Sequence, residues 1–241
     1  MKRIVLLKLS GEALSRVNGI GIDMEKVEDV AYEVKSLKDT GVSVGIVVGA
    51  GNIWRGRDAK KIGMDRVSAD HMGMLGTILN AMALSSTLEL IGVKSRVMSA
   101  IPVGHIVEPY NRNLAIQALE KGEVVVFGGG TGSPFFSTDT TAALRAAEIG
   151  AEVILMAKNG TNGVYNCDPR KNPQAQKFEK ITFDELIKNH LEVMDLTAAT
   201  LCYDNNINIV VFDMGKSGNI KKVIEDPSIG TIITCLLYTS P

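Results

Sequence analysis

The sequence contains little of what disulfide frameworks and metal centres require. Of its 241 residues, three are cysteine and three are histidine, and no two cysteines form a CxxC pair. They are scattered along the chain, at Cys167, Cys202, Cys235, His71, His105 and His190. This spacing predicts neither a disulfide framework nor a zinc or histidine-based metal site, and it suits a reducing compartment.

An excess of positive charge and long apolar runs are also absent. The 26 lysines and arginines are balanced by 27 aspartates and glutamates, for a net charge of −1. There is thus no global basic field that would attract nucleic acid or an anionic membrane. The first apolar run ends at Lys8, which is too short for a signal peptide, and no run approaches the length of a membrane span. We therefore expect a cytoplasmic protein with no nucleic-acid or membrane partner.

Short β-branched runs alternate with longer helical patterns along the chain. The patterns predict strands at 4–9, 42–48, 95–98, 105–107, 123–127, 152–157, 207–212 and 231–234. They predict helices at 24–39, 69–90, 114–120, 140–149, 196–205 and 219–225, with a short helix starting at the capping box of 182–185. This alternation predicts a single α/β domain over 1–234, a three-layer α/β/α sandwich with a mainly parallel central sheet.

Ligands in such folds bind at the carboxyl ends of the strands, and the first two candidate segments follow predicted strands. In Lys8-Leu9-Ser10-Gly11, a lysine ends a buried strand, and the Ser-Gly turn lets the backbone approach a ligand. By itself this run is equally consistent with an ordinary turn. In Gly49-Ala50-Gly51-Asn52, small residues aim backbone N–H groups outward, and Arg55 adds a charged donor fork.

Two further strand ends carry longer loops. The segment 128–139 contains four glycines, then hydroxyl groups and an acid, and leads into a helix N-terminus, which attracts anions. The segment 158–169 is long enough to wrap a base or a ribose, although a solvated surface loop is nearly as consistent with its composition.

Two familiar nucleotide-binding motifs are excluded. The GxGxxG spacing that starts at Gly128 fails at Ser133, so the dinucleotide fingerprint is missing. The triplet 215–217 looks like the end of a Walker A loop, but Val210 stands where that motif needs glycine. Four strand ends suited to phosphate, without either motif, indicate an ATP-dependent phosphotransferase on a different nucleotide-binding fold.

Taken together, these segments resemble the amino-acid-kinase superfamily and, within it, the bacterial UMP kinases. The resemblance extends over almost the whole chain, and the segment 70–74 is its most discriminating part, because relatives that act on amino acids or carbamate lack it. The run at 8–14, the loop beginning at Gly51 and the loop 131–139 look like the family's phosphate-binding segments. Ala50 stands where many members have glycine, and Ser133 where many have asparagine.

The resemblance implies the amino-acid-kinase fold and transfer of the ATP γ-phosphoryl group to UMP. It also implies Mg²⁺, held mainly through the ATP phosphates and water, a homohexamer, activation by GTP and inhibition by UTP. The expected catalytic residues are Lys8, Arg55, Asp139 and Asp195. The expected ATP contacts are Lys8, Leu9, Ser10, Gly11, Gly51, Arg55, Asn159, Tyr165 and Asp168. The expected UMP contacts are Ala50, Asp70, Thr131, Gly132, Ser133, Pro134, Phe135, Phe136, Ser137 and Thr138.

Two alternatives stay open. One is another kinase of the same superfamily that acts on a carboxylate or carbamate, and the other is a nucleotide sensor that binds without turnover. The tail 235–241 does not look like the family's ending, and we expect it to be foreign to the domain.

Overall fold

The computed structural model describes residues 3–16, 19–56, 62–191 and 193–235. Within these ranges, nine strands form one sheet in the order β4-β3-β5-β2-β1-β6-β8-β9-β7. Their bounds are β1 Ile4–Leu9, β2 Ser43–Val48, β3 Ser95–Ser99, β4 Glu108–Pro109, β5 Val124–Gly128, β6 Val153–Lys158, β7 Lys180–Thr182, β8 Asn208–Asp213 and β9 Thr231–Thr234. Residues 236–241 of the predicted tail lie outside the described residues.

Seven α-helices lie in the same described ranges. They are α1 Met24–Lys38, α2 Arg66–Leu90, α3 Arg112–Glu120, α4 Thr138–Ile149, α5 Phe183–Lys188, α6 Leu196–Asp204 and α7 Asn219–Glu225. The sequence accounts for their starts: Asp23, Asn111, Ser137 and Asp195 are N-caps, and Thr182 forms the predicted capping box with Glu185. No helix in the described ranges combines the length and apolar character that crossing a membrane would require.

The helices cover both faces of the sheet. One core packs helices α1, α2 and α7 against the sheet, and the other packs α3, α4, α5 and α6 against the opposite face. Within β1, Val5, Leu7 and Leu9 belong to the first core and Leu6 to the second, as alternation along a strand requires. The predicted three-layer sandwich is confirmed. Among the nine described strands, every pairing is parallel except that of β8 with β9.

Two edge strands differ from the predictions. The strand predicted at 105–107 is wrong: β4 is Glu108–Pro109, and it pairs with Met98 and Ser99 of β3. The position of β4 is thus set by its pairing with β3, because the composition of residues 108–109 does not itself predict a strand. Strand β7 was not predicted, because three residues carry too little periodicity, and its pairing with β9 defines it.

The strand order places the candidate site. Strand β1 lies between β2 and β6, and the chain places β2 to β5 on one side of β1 and then β6 to β9 on the other. Such a reversal leaves a crevice at the carboxyl ends of the central strands, where ligands bind in open α/β sheets. Lys8, near the end of β1, pairs in register with Val47 of β2 and Met156 of β6.

Candidate active site

An ion pair lies at the crevice between strand β1 and the start of α4. Lys8 Nζ is 2.6 Å from Asp139 Oδ1, and the two side chains are only 11% and 17% exposed. Asp139 follows the N-cap Ser137 in the first turn of α4, where the helix dipole favours a carboxylate. Its Oδ1 is buried and accepts no well-aligned hydrogen bond, so Lys8 meets it as a charge rather than as an aligned donor.

A second lysine reaches the same place from the neighbouring strand. Lys158 ends β6, and its Nζ donates to Val193 O at 2.8 Å. Burial, and then the positive charge of Lys8, lower the pKa of Lys158 below its ordinary value, and the carboxylate of Asp139 opposes that shift. Lys158 is not among the site residues predicted from the sequence. The signal that singled out Lys8, a lysine ending a buried strand, was also present at Lys158.

Asp195 connects the start of α4 to the start of α6 through hydrogen bonds. It caps α6 by accepting from Ala198 N at 2.9 Å, and it accepts hydrogen bonds from Ser137 Oγ and, at 3.0 Å, from Thr140 Oγ1. Burial alone would raise the pKa of Asp195, but the hydrogen bonds from Ser137, Ala198 and Thr140 outweigh it and hold the pKa below its ordinary value. Asp195 therefore stays ionised and fixes the helix that carries Asp139.

The loop after β2 packs directly on the turn after β1. A Cβ on Gly11 would lie 2.4 Å from Asn52 Oδ1 and 2.6 Å from Gly49 O, so only glycine fits there. The buried amides of Asn52 and Asn80 donate to each other's oxygens at 3.0 and 2.7 Å, and Asn80 also donates to Gly49 O at 2.7 Å. This pairing satisfies polar groups inside the protein and makes the loop rigid.

Arg55 lies at the edge of this loop. Its Nε donates to Gly51 O at 2.8 Å and its Nη2 to Glu12 Oε1 at 2.7 Å. The guanidinium is thus positioned beside the two glycine turns and paired with an exposed carboxylate that an anionic ligand could replace.

The loop 129–138 is held by helix α2 and by the segment after β3. Gly129, Gly130 and Gly132 have positive φ angles, and Gly129 N donates to Thr77 Oγ1 at 2.9 Å.

Ala50 is buried, and a Cβ on Gly76 of α2 would lie 2.9 Å from the Ala50 Cβ. The methyl group of Ala50 therefore faces α2, and this residue can offer a ligand only its backbone. The same holds for Leu9, whose side chain is in the core.

Four of the expected ATP contacts line two cavities: Tyr165 and Asp168 line one, and Arg55 and Asn159 line the other. One cavity of about 470 Å³ is lined by Lys158, Tyr165 and Asp168. Asn159 lines a cavity of about 760 Å³ that also includes Glu12 and Arg55. Backbone and side-chain hydrogen bonds from Arg170 lower the pKa of Asp168, which is consequently an anion. The cavity of 470 Å³ is the better candidate for a base and ribose, because the strand-ending Lys158 in its lining interacts electrostatically with Lys8.

Asp70 connects α2 to the loop 129–138. Its Oδ2 accepts from Phe135 N at 2.7 Å and from Arg66 Nε at 2.8 Å. The structure thus groups the predicted residues into three sets. Lys8, Asp139 and Asp195 lie around the start of α4, Arg55 lies with the glycine turns, and Asp70 lies with the loop.

Comparison with known proteins identifies the family of the chain. The model of the amino acid kinase family matches residues 3–213. The chain belongs to the amino acid kinase family. A similar member of this family is a uridylate kinase of Streptococcus thermophilus, 53% identical over 230 residues, which are 95% of this chain and 94% of the relative.

Solved structures of the same family match in fold. The crystal structure of a UMP kinase from Ureaplasma parvum is 43% identical with a TM-score of 0.93, covering 97% of this chain and 99% of that one. The crystal structure of a UMP kinase from Bacillus anthracis is 38% identical with a TM-score of 0.94, covering 98% and 97%. The amino-acid-kinase fold predicted from the sequence is thereby confirmed.

Proposed function

We propose that this chain transfers the γ-phosphoryl group of ATP to UMP, giving UDP and ADP, as a cytoplasmic enzyme of pyrimidine nucleotide synthesis. The observation that carries the proposal is the Lys8–Asp139 pair, which interacts electrostatically with Lys158 in the lining of a nucleotide-sized cavity, in a chain 53% identical to a uridylate kinase. The alternatives, a carboxylate or carbamate kinase and a sensor without turnover, receive no support from these relatives, which are named for UMP or uridylate.

The chemistry needs positive charge more than it needs a base. The attacking group is a phosphate oxygen of UMP, already ionised near neutral pH. It bonds to the γ-phosphorus as the bond from that phosphorus to the β,γ-bridging oxygen breaks, and ADP leaves with the electron pair. Donor and acceptor are both polyanions, so the main barrier is their repulsion together with the charge that develops on the transferred group.

Lys8 and Lys158 supply that charge from adjacent strands. Lys8 is the proposed contact to the transferring group, and Lys158, held by Val193 O, is a second cation beside it. Asp139 orients Lys8, and Asp195 holds the helix start on which Asp139 lies. Arg55 would exchange Glu12 for phosphate when ligand binds, bringing the two nucleotides together.

Mg²⁺ fits this site as a partner of ATP. Carboxylate oxygens are the ligands that Mg²⁺ prefers, and it usually keeps several waters. Asp139 Oδ1, buried and without an aligned hydrogen bond, is the oxygen best placed to hold such a water. Bound Mg²⁺ would neutralise charge on the ATP phosphates.

We place the base and ribose of ATP in the cavity of about 470 Å³, against Tyr165 and Asp168. Its phosphates would pass Asn159 toward Ser10, Gly11 and Gly51. UMP would lie along the loop 131–138, with Asp70 on the same wall of the site as Phe135. The hydrogen bond from Phe135 N to Asp70 supports this placement, because it joins two groups of the expected UMP set.

A coupled assay of ADP release tests the proposal. The purified chain is given ATP and Mg²⁺ with UMP, CMP, acetylglutamate or carbamate in turn, with and without GTP and UTP. We expect turnover with UMP, activation by GTP and inhibition by UTP. Turnover with a carboxylate alone, or UMP binding in a calorimeter without product, would replace the proposal by one of the two alternatives.

The proposed hexamer has support in α2. Met72, Leu75 and Leu79 are 39%, 51% and 52% exposed, and their spacing places them on one face of the helix. Exposed apolar stripes of this kind mark protein interfaces. We propose that this α2 face contacts a second copy of the chain.

Leu79→Glu should therefore reduce the size of the assembly, because it places a charge in an apolar contact. Light scattering after gel filtration measures the mass. Leu114→Glu is the matched control, since Leu114 is a 42% exposed leucine on α3. A wild-type monomer, or equal masses for wild type and Leu79→Glu, would contradict the α2 contact.

A further inference from the structure

Three residues near the start of α2, Arg66, Asp70 and Phe135, all contact one another. Arg66 Nε donates to both carboxylate oxygens of Asp70, at 3.0 and 2.8 Å. Phe135 N donates to Asp70 Oδ2 at 2.7 Å, and the Arg66 guanidinium carbon lies 5.2 Å from the centre of the Phe135 ring. We call Arg66, Asp70 and Phe135 the α2 clasp. Arg66 is the member of the clasp that lies outside the sets of expected ligand contacts.

The clasp holds Phe135 in an unfavourable backbone conformation. Its φ is +74°, in the left-handed region that residues other than glycine avoid. The residue is 64% exposed, so burial in the core does not explain the strain. What the structure offers as compensation is the hydrogen bond to Asp70 and the contact of the ring with the Arg66 cation. Strain maintained by surrounding contacts is typical of ligand-binding segments.

The clasp also determines how Asp70 can meet a ligand. The Asp70 side chain is 17% exposed, against 61% for Arg66. A carboxylate oxygen has two acceptor positions, and Oδ2 uses both for Phe135 N and Arg66 Nε. Oδ1 accepts from Arg66 Nε and keeps one position for a ligand donor. Arg66 thus fixes the orientation of the Asp70 carboxylate and partly neutralises its negative charge.

We propose that Arg66 is a positioning residue for the acceptor nucleotide: it holds Asp70 and the strained Phe135 as one wall of the acceptor site. This inference rests on the proposed function. Because Arg66 contacts Asp70 and Phe135 and not the Lys8–Asp139 pair, its removal changes acceptor binding and leaves the transfer step and the ATP site intact.

The test is steady-state kinetics with UMP and ATP varied separately. Arg66→Ala should raise KM for UMP about tenfold, the loss of a charge-assisted hydrogen bond, with kcat and KM for ATP changed less than about twofold. Phe135→Gly accepts φ +74° without strain but lacks the ring, so it should raise KM for UMP about threefold. The double variant should be no worse than Arg66→Ala, because both changes open the same clasp.

Lys35→Ala is the matched control. It removes an exposed cation from a pair of the same i,i+4 spacing, Lys35–Asp39 on α1, and should leave every constant unchanged. Thermal melts establish that each variant is folded, and Phe135→Gly tests the clasp on its own should Arg66→Ala fail to fold.

The outcomes separate the two proposals. A wild-type chain that does not phosphorylate UMP overturns the proposed function, and the inference with it. An active wild type whose Arg66→Ala variant keeps its KM for UMP overturns the inference alone. A fall in kcat with unchanged KM also overturns it, because that result would place Arg66 in the transfer step.

Discussion

Replacing Lys8 with alanine should lower kcat for phosphoryl transfer about 10² to 10³-fold while the chain stays folded, the cost of removing one preorganised group from a developing charge. Lys8 is 11% exposed and lies 2.6 Å from Asp139, so its ammonium group is held where few waters could replace it. Lys158 remains on the next strand and keeps part of the positive charge. Rapid-quench measurement of a single turnover isolates the transfer step from product release.

Two comparisons distinguish catalysis from structure. Lys8→Met retains most of the side-chain volume without the charge, and it should lose as much activity as Lys8→Ala. Calorimetry should show that UMP binds to both variants nearly as well as to the wild type, because Asp70 and the loop 131–138 are intact. Near-normal turnover in Lys8→Met would show that Lys8 has no part in the transfer step. If replacing Asp139 as well restored the turnover lost in Lys8→Met, the ion pair would have a structural role and not a catalytic one.

The central part of the fold could be predicted because its strands are buried on both faces. Runs such as 124–127 are continuously apolar, and β1, β9 and α7 have the predicted bounds. The edges could not be predicted in this way. Strand β4 is two residues long and its position is set by Met98 and Ser99 on β3. A run of β-branched residues nearby indicated a strand where the chain forms none.

The site residues also divide into those that could be predicted from local sequence and those that could not. Lys8 and Asp139 could be selected because a charged residue at a strand end or in the first helical turn is a local signal. The partnership of Asp195 with Ser137 and Thr140 depends on two helix starts, 55 residues apart or more, meeting in space. The i,i+4 spacing of Arg66 and Asp70 suggests only a helical ion pair, because the role of Arg66 depends on the backbone angle of Phe135. Local chemistry is visible in a sequence, whereas contacts between loops require the fold.

The second large effect concerns the contact between the two glycine turns. Gly11→Ala should lower kcat/KM about 100-fold, because a misplacement of about 1 Å at a reacting centre can cost that much. The new Cβ would lie 2.4 Å from Asn52 Oδ1, 2.6 Å from Gly49 O and 2.8 Å from Gly51 N. Two of these three atoms belong to the backbone, and Asn52 is buried and paired with Asn80, so none can move aside cheaply.

The displacement should also reduce stability, since overpacking costs about 1–3 kcal/mol. Urea unfolding measures the loss of stability, and steady-state kinetics measures the loss of kcat/KM. Gly56→Ala is the control, because a Cβ there would meet no atom within 4 Å and its φ is not positive. Wild-type kinetics in Gly11→Ala would mean that the turn after β1 can separate from the loop after β2 without loss. The phosphates would then have to be held by the lysines and by α4, and the role proposed for Ser10 and Gly11 would be wrong.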